Sequence, residues 1–346
     1  MKRTIGFVAV ILWVAVLLAC ENRTRAEESA RASGGAATIA DGPNGASNGA
    51  KAISPDFTLT TSDLRTMVGD MPGSIQDKIL ARPALFLREI AAILRQPSDY
   101  FALVDKSHAL AAGYVPPDLV NLHAEGISVG AADMVFRKSV MPEVMAMVSA
   151  AREAGIEPVF PSTYRSFAVQ RAVYDREVRL YGVKVADSES AVPGTSQHQL
   201  GDTVDFGCIC DAFGRTKDYA WLIEHAAEFG FSMTYPNGYE SVTGYRYEPW
   251  HWHYITTAGT RAQAAFFNNV QQYLIVFLYD NRRALVDSYL GNDLGAGWDT
   301  APLSHPIGRG PGAAEAIPPK TQAPSGAPPV GSRSSSDSGR PAASSP

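Results

Sequence analysis

Two short clusters constrain this chain more than any other feature: Ser196-Gln197-His198-Gln199-Leu200-Gly201-Asp202-Thr203-Val204-Asp205 and Glu248-Pro249-Trp250-His251-Trp252-His253-Tyr254. Both mix imidazoles and acids with apolar or aromatic neighbours. Carboxylates in such surroundings are costly unless paired or bound to a metal. The fold must therefore bring the clusters together. Two imidazoles and one carboxylate suit Zn²⁺, with a fourth position open to water, and a further unliganded glutamate would supply a general base.

The local pattern says how each side chain arrives. His198 and Asp205 are seven apart, a helical spacing, but Gly201 and the β-branched Thr203-Val204 favour a loop entering a strand. His198 is then expected from the turn and Asp205 from the strand. His251 and His253 would share one strand face, so either can serve as ligand. Glu248 sits among Tyr247, Pro249, Trp250 and Trp252, neighbours that raise a carboxyl's proton affinity and suit a base. Asp202 is expected to be solvated. An aromatic strand edge with incidental histidines is the bland alternative.

The surrounding sequence gives the frame. Lys2 and Arg3 precede an apolar run, Ile5 to Leu18, too short to span a bilayer comfortably, followed by Ala19-Cys20. Residues 1–20 are expected to be an export signal ending in a lipidation site at Cys20, with a membrane partner reached through that N-terminal lipid anchor. An ordinary secretory signal is the alternative. Residues 21–55 are poor in large apolar side chains and read as a disordered linker. Residues 296–346 read as a disordered Pro/Ser/Gly-rich tail. Between them, 56–100 reads as a helical extension, 101–260 as the main domain and 261–295 as a C-terminal helix.

Within these bounds, Leu85–Leu94 reads as an amphipathic helix stopped by Pro97. A second helix starts at Pro142 and runs to Arg152, with Met145 and Val148 inward. Ser166 is expected to cap a helix through Leu180 with a stripe of Val169, Val173 and Leu180. Asp218 would cap another, ended by Gly230. Ile156–Phe160, Thr203–Ile209, Phe231–Tyr235 and Trp250–Thr256 read as strands, and Phe266–Leu290 as one helix. Helices and strands interleave without a strict βαβ rhythm. The expected fold is α+β, a small and mostly antiparallel sheet flanked by helices around a single zinc site.

A formal net charge of −5 without a Lys/Arg block excludes nucleic acid as a partner. The chain has three cysteines. Besides Cys20 there are Cys208 and Cys210, whose i,i+2 spacing is awkward for a disulfide on an extended strand. They read as small buried side chains, or as a redox or metal accessory beside Asp205.

The pattern Ser-x-His-x-x-Gly-x-x-x-Asp followed by Glu-Pro-Trp-His-x-x-Tyr resembles the VanY-type D-alanyl-D-alanine carboxypeptidases, zinc peptidases of bacterial cell-wall metabolism. The likeness spans about Phe101 to Gly259. It includes Ala102-Leu103-Val104-Asp105-Lys106, Tyr114-Val115-Pro116-Pro117, Thr163-Tyr164-Arg165-Ser166 with Gln170, Gly230-Phe231 to Tyr235-Pro236, and Thr243-Gly244-Tyr245. The resemblance implies zinc ligands at His198, Asp205 and His251, a catalytic base at Glu248 and an oxyanion- or carboxylate-binding arginine at Arg165. Ser196, Gln170 and Tyr164 are candidates for substrate contact, with loop bracing an equal reading for Ser196 and Gln170. The implied partners are peptidoglycan stem peptides or their precursors. Thr203 stands where the family commonly has alanine, Asp202 where it has an apolar residue, and His253 where it often has arginine. An LD-carboxypeptidase or a peptidoglycan endopeptidase would use the same metal site. An inactive zinc-stabilised wall-binding module would have no use for Glu248.

Overall fold

A computed structural model describes residues 51–307. The expected signal, the Cys20 lipidation site, most of the linker and the tail from 308 onward lie outside the described residues. Among the described residues, no helix is long and apolar enough to cross a membrane.

The strands are β1 (His108–Leu110), β2 (Leu119–Asn121), β3 (Ser128–Val129), β4 (Val135–Arg137), β5 (Val159–Phe160), β6 (Thr203–Asp205), β7 (Phe231–Met233), β8 (His251–Tyr254) and β9 (Ser304–Pro306). They form three two-stranded sheets and one three-stranded sheet ordered β6-β8-β7. All pairs are antiparallel except β3 with β5. The α+β class with mostly antiparallel pairing is the architecture observed.

Helices begin with α1 (Thr61–Met67), α2 (Gly73–Ala81), α3 (Pro83–Leu94) and α4 (Met141–Glu153). Pro83 opens α3, where its missing N–H costs nothing. In α4 the inward residues are Val144, Met147, Val148 and Ala151, whereas Met145 is exposed. Next come α5 (Phe167–Tyr181) and α6 (Val183–Glu189). The Ser166 hydroxyl accepts from the Val169 amide and caps α5 as expected. Its apolar stripe does not turn inward: Val169 and Leu180 are exposed, and the one buried residue of the helix is Gln170.

α7 (Lys217–His225) is capped by Thr216, whose hydroxyl accepts from Tyr219, and not by Asp218. After a short α8 (Glu240–Thr243), the expected single C-terminal helix is three: α9 (Thr256–Phe266), α10 (Gln271–Asp280) and α11 (Arg282–Ser288). Asn268 and Asn269 both adopt positive φ, which ends helical propagation, and Asn tolerates that region better than most residues. The apolar positions inferred for this stretch (Phe266, Val270, Leu274, Phe277 and Leu278) are all buried. Phe86 of α3 meets Phe266 and Phe277 edge-on at ring separations of 5.2 and 5.4 Å. The fold extends past the expected boundary at 295, because Trp298 is buried and β9 pairs with β1.

The three-stranded sheet positions the two clusters. Asp205 of β6 lies opposite His251 of β8, and Thr203 lies opposite His253. Directly opposed residues share a sheet face, so the carboxylate and both imidazoles stand on one side. Val204 and Trp252, opposite each other, are buried in the hydrophobic core.

Candidate metal centre

His198 comes from a 3-10 turn, Gln197–Leu200, immediately before β6. The turn ends at Gly201, where φ is +80° and an added Cβ would lie 2.9 Å from Pro116. Only glycine lets the chain reverse here against Pro116 and Leu119. A second anchor is the segment from Ser162 to Arg165. Asp205 donates its amide to the Ser162 carbonyl, Arg165 donates its amide to the His198 carbonyl, and His198 Nδ1 lies 2.6 Å from the Thr163 carbonyl oxygen. That last contact requires a proton on Nδ1 and leaves Nε2 with its lone pair free.

His198 Nε2 lies 3.3 Å from one oxygen of Asp205, and His251 Nδ1 lies 3.2 Å from the other. The two rings stand nearly perpendicular, 4.9 Å apart. One donor atom from each of His198, Asp205 and His251 falls within 4.8 Å of the others, and all three side chains are buried. His198 Nε2 and Asp205 Oδ1 have no hydrogen-bond partner. Orphaned buried groups of this kind are uncommon and point to a missing partner. A divalent cation would supply it: two imidazole nitrogens and a carboxylate oxygen match the donor set of a three-ligand zinc site.

Electrostatics agree with this reading. Burial pushes both imidazoles down, His251 to about 4, so each presents a neutral ring. Burial alone would raise Asp205, but any proton held between it and His198 or His251 resides on the ring, which keeps the carboxyl far below its usual range. Glu248 lies 3.8 Å from His251 Nδ1. Burial, then the Asp205 charge, raise it to about 8 against the opposing pull of Arg246 and Arg165. The guanidinium of Arg165 bonds Ser162 Oγ at 2.9 Å, lies 3.9 Å from Asp205, and keeps Nε without a partner. Tyr235 covers the His251 ring at 4.7 Å.

Other expected residues fall elsewhere. Gln170 bonds the Ala191 carbonyl at 2.7 Å and so braces the loop leading to Ser196. Ser196 is buried, and its carbonyl accepts from the Gln199 amide. Tyr164 ties its amide to Val135 and is only partly buried. His253 does not join the cluster: Nε2 lies 3.2 Å from Asp202 and Nδ1 3.2 Å from Gln271. Asp202, expected in solvent, is fully buried. The turn at Gly201 carries it inward, against the same strand face that holds His253.

Cys208 and Cys210 form a disulfide and are not buried side chains. Gly207 at φ +66° ends the extended strand, and Cys210 donates its amide to the Cys208 carbonyl. This tight turn brings the Cα atoms to 5.3 Å, within disulfide reach, where strand alternation would not. Gln197, Gln271 and Tyr235 also contact site or neighbouring side chains. No spacing rule flags the two glutamines, because they meet only after the chain has folded.

A buried two-histidine, one-carboxylate cluster beside a buried glutamate is the donor set that single-metal hydrolases use. The family model for VanY, D-alanyl-D-alanine carboxypeptidase, matches residues 133–257, so this stretch, which holds the whole cluster, is similar to that family. The chain is 35% identical over 169 residues to the YodJ protein of Bacillus subtilis (strain 168), covering 47% of this chain and 62% of that protein. It is 36% identical over 125 residues to a D-alanyl-D-alanine carboxypeptidase of Enterococcus faecalis (strain ATCC 700802 / V583), covering 34% of this chain and 47% of that one. The chain thus spans less than two thirds of the length of either relative. A solved structure of the LdcB LD-carboxypeptidase is similar at 32% identity and a TM-score of 0.46, over 51% of this chain and 85% of that one.

Proposed function

We propose that this protein is a zinc carboxypeptidase that removes the terminal D-alanine from peptidoglycan stem peptides. The observation that carries the reading is the convergence of His198, Asp205 and His251 with Glu248 alongside. The likeness of residues 133–257 to the VanY family supports the choice of substrate class.

In this reading His198 Nε2, Asp205 and His251 Nδ1 would hold the ion. Bound zinc supplies Lewis acidity toward water and toward the scissile carbonyl. Glu248 takes a proton from the attacking water and returns it to the departing amine, a task suited to a carboxylate whose proton affinity lies near neutrality. Its buried position, 10% side-chain exposure, limits competing exchange with bulk water. Arg165, 23% exposed, is oriented by Ser162 and retains unused donors. Those donors can grip a peptide carboxylate or the charge that develops on the carbonyl oxygen.

The test is release of D-alanine from a stem pentapeptide by the zinc-loaded chain. Glu248→Gln should bind zinc with unchanged stoichiometry yet lose activity by at least about 10²–10⁴-fold. Full turnover by that variant contradicts the assignment. A tetrapeptide substrate run in parallel separates D,D from L,D cleavage, and a cross-linked dimer tests for endopeptidase action. Zinc binding with no cleavage of any of the three would instead favour a wall-binding module. We further propose that Cys20 is lipidated and tethers the enzyme on the outer side of a membrane, on the strength of the Leu17-Leu18-Ala19-Cys20 sequence. Loss of membrane sedimentation in Cys20→Ser checks it.

A further inference from the structure

Behind His251 the polar interior continues as a chain of buried side chains running away from the metal cluster. His251 Nε2 lies 3.3 Å from Gln197 Oε1, which also accepts from Thr234 Oγ1 at 2.9 Å. Gln197 Nε2 donates to Gln271 Oε1 at 3.3 Å. The same oxygen faces His253 Nδ1 at 3.2 Å, and His253 Nε2 meets Asp202 at 3.2 Å. Gln197, Thr234, Gln271, His253 and Asp202 are each 2% exposed or less.

The directions of these bonds are set from the far end. Gln271 Nε2 faces the Ser232 carbonyl at 3.5 Å, and a carbonyl can only accept. The Gln271 amide is therefore oriented with Oε1 toward Gln197 and His253. Gln197 must answer with its NH₂, which turns its own Oε1 toward His251. That oxygen also only accepts, so His251 Nε2 is the nitrogen that carries the proton. Its Nδ1 is left with a lone pair aimed at Asp205, an arrangement that a cation between the two would satisfy. The last link is the close approach of His253 Nε2 to Asp202 Oδ1, and the neighbouring Arg137 is pinned by Asp99 at 2.6 Å and Asp118 at 3.0 Å.

We propose that Gln197 is the positioning residue for His251, and that the Gln271–His253–Asp202 chain behind it fixes Nδ1 as the metal-facing nitrogen. The inference rests on the zinc-centre reading above and deepens it. The two unusual residues Asp202 and His253 then have one joint explanation: they form the far end of the chain that orients a ligand. The chain also leaves the family-matched region, because Gln271 opens α10 beyond residue 257. The C-terminal helices thus contribute directly to ligand geometry.

The experiment compares zinc affinity, by chelator competition, for the wild-type chain, Gln197→Met and Gln197→Glu. Methionine keeps the volume but accepts no proton, so affinity should weaken 10–100-fold, the usual cost of losing the group behind a metal-bound imidazole. Glutamate still accepts from Nε2 and should hold affinity within a few-fold of wild type. A purely structural role predicts the opposite order, since burying a carboxylate disturbs packing more than methionine does. Long-range ¹H–¹⁵N spectra of the zinc-loaded wild type should show His251 bound through Nδ1 with a slowly exchanging Nε2 proton. Coordination through Nε2, or Gln197→Met binding zinc as tightly as wild type, overturns the proposal while leaving the zinc centre intact. A wild-type chain that binds no zinc overturns the functional reading itself. Should Gln197→Met fail to fold, Gln271→Met serves in its place, with a loss of at least about threefold expected and unchanged affinity counting against the chain.

Discussion

Asp205 stands between two neutral rings with one oxygen toward each, so each ligand's value depends on the other two. His251→Ala should abolish stoichiometric zinc binding, read by metal analysis after gel filtration. His253→Ala should keep the three ligands but leave the buried Asp202 without its nearest polar neighbour, a loss of about 1–3 kcal/mol in unfolding free energy. If the two variants behave the other way round, the ligand is His253. Glu248 gives a pH prediction for the metal-free chain. Its folded value, raised to about 8, exceeds the unfolded one, so its contribution is fully present below about pH 4.3 and lost as pH rises through 8. Metal-free Glu248→Gln should therefore melt higher than wild type at pH 8–9, by at least about 2–4 °C, with the gap closing toward pH 4. A gap that stays constant across that range would argue against a buried, raised carboxyl. At this scale His198, Asp205 and Glu248 were legible because each sits in a short, chemically unusual cluster, whereas the choice of His251 over His253 came from the resemblance to the VanY family. Asp202 and His253 were not, because their pairing is set by the β6–β8 register and the turn at Gly201, neither of which local composition reveals.

Gly201 joins the turn that carries His198 to the strand that carries Asp205. Gly201→Ala places a Cβ against Pro116 and Leu119 at a left-handed φ. Backbone strain and overpacking together should cost about 2–5 kcal/mol by denaturant unfolding and weaken zinc binding in step. A neutral result would mean the turn can shift without moving either ligand. Element types were readable where apolar periodicity met a clear stop, as in α3 before Pro97 and in α5 after Ser166. They were misread where backbone conformation outweighed pattern. The run from Phe266 to Leu290 keeps its buried positions yet breaks at Asn268 and Asn269, and Gly207 converts the end of an expected strand into the turn that closes the Cys208–Cys210 disulfide. The exposed Val169 and Leu180 on α5 show the converse failure, since an apolar stripe says nothing of whether a partner element covers it.

For the whole molecule, the α+β class followed from irregular interleaving of helix and strand signals. The packing of the C-terminal helices and of β9 against β1 did not, because it joins residues distant in sequence. Zinc that binds only the folded state should stabilise it by about 2.7 kcal/mol at a hundredfold excess over its dissociation constant, visible as a chelator-sensitive rise in melting temperature. No such rise would mean that the buried cluster is a polar network without a metal. Mass spectrometry of a stem pentapeptide, incubated with the zinc-loaded chain and with the same chain after chelation, tests the central claim most directly. The account predicts loss of one C-terminal alanine in the first sample and an intact peptide in the second. An intact peptide in both, or equal shortening in both, contradicts it.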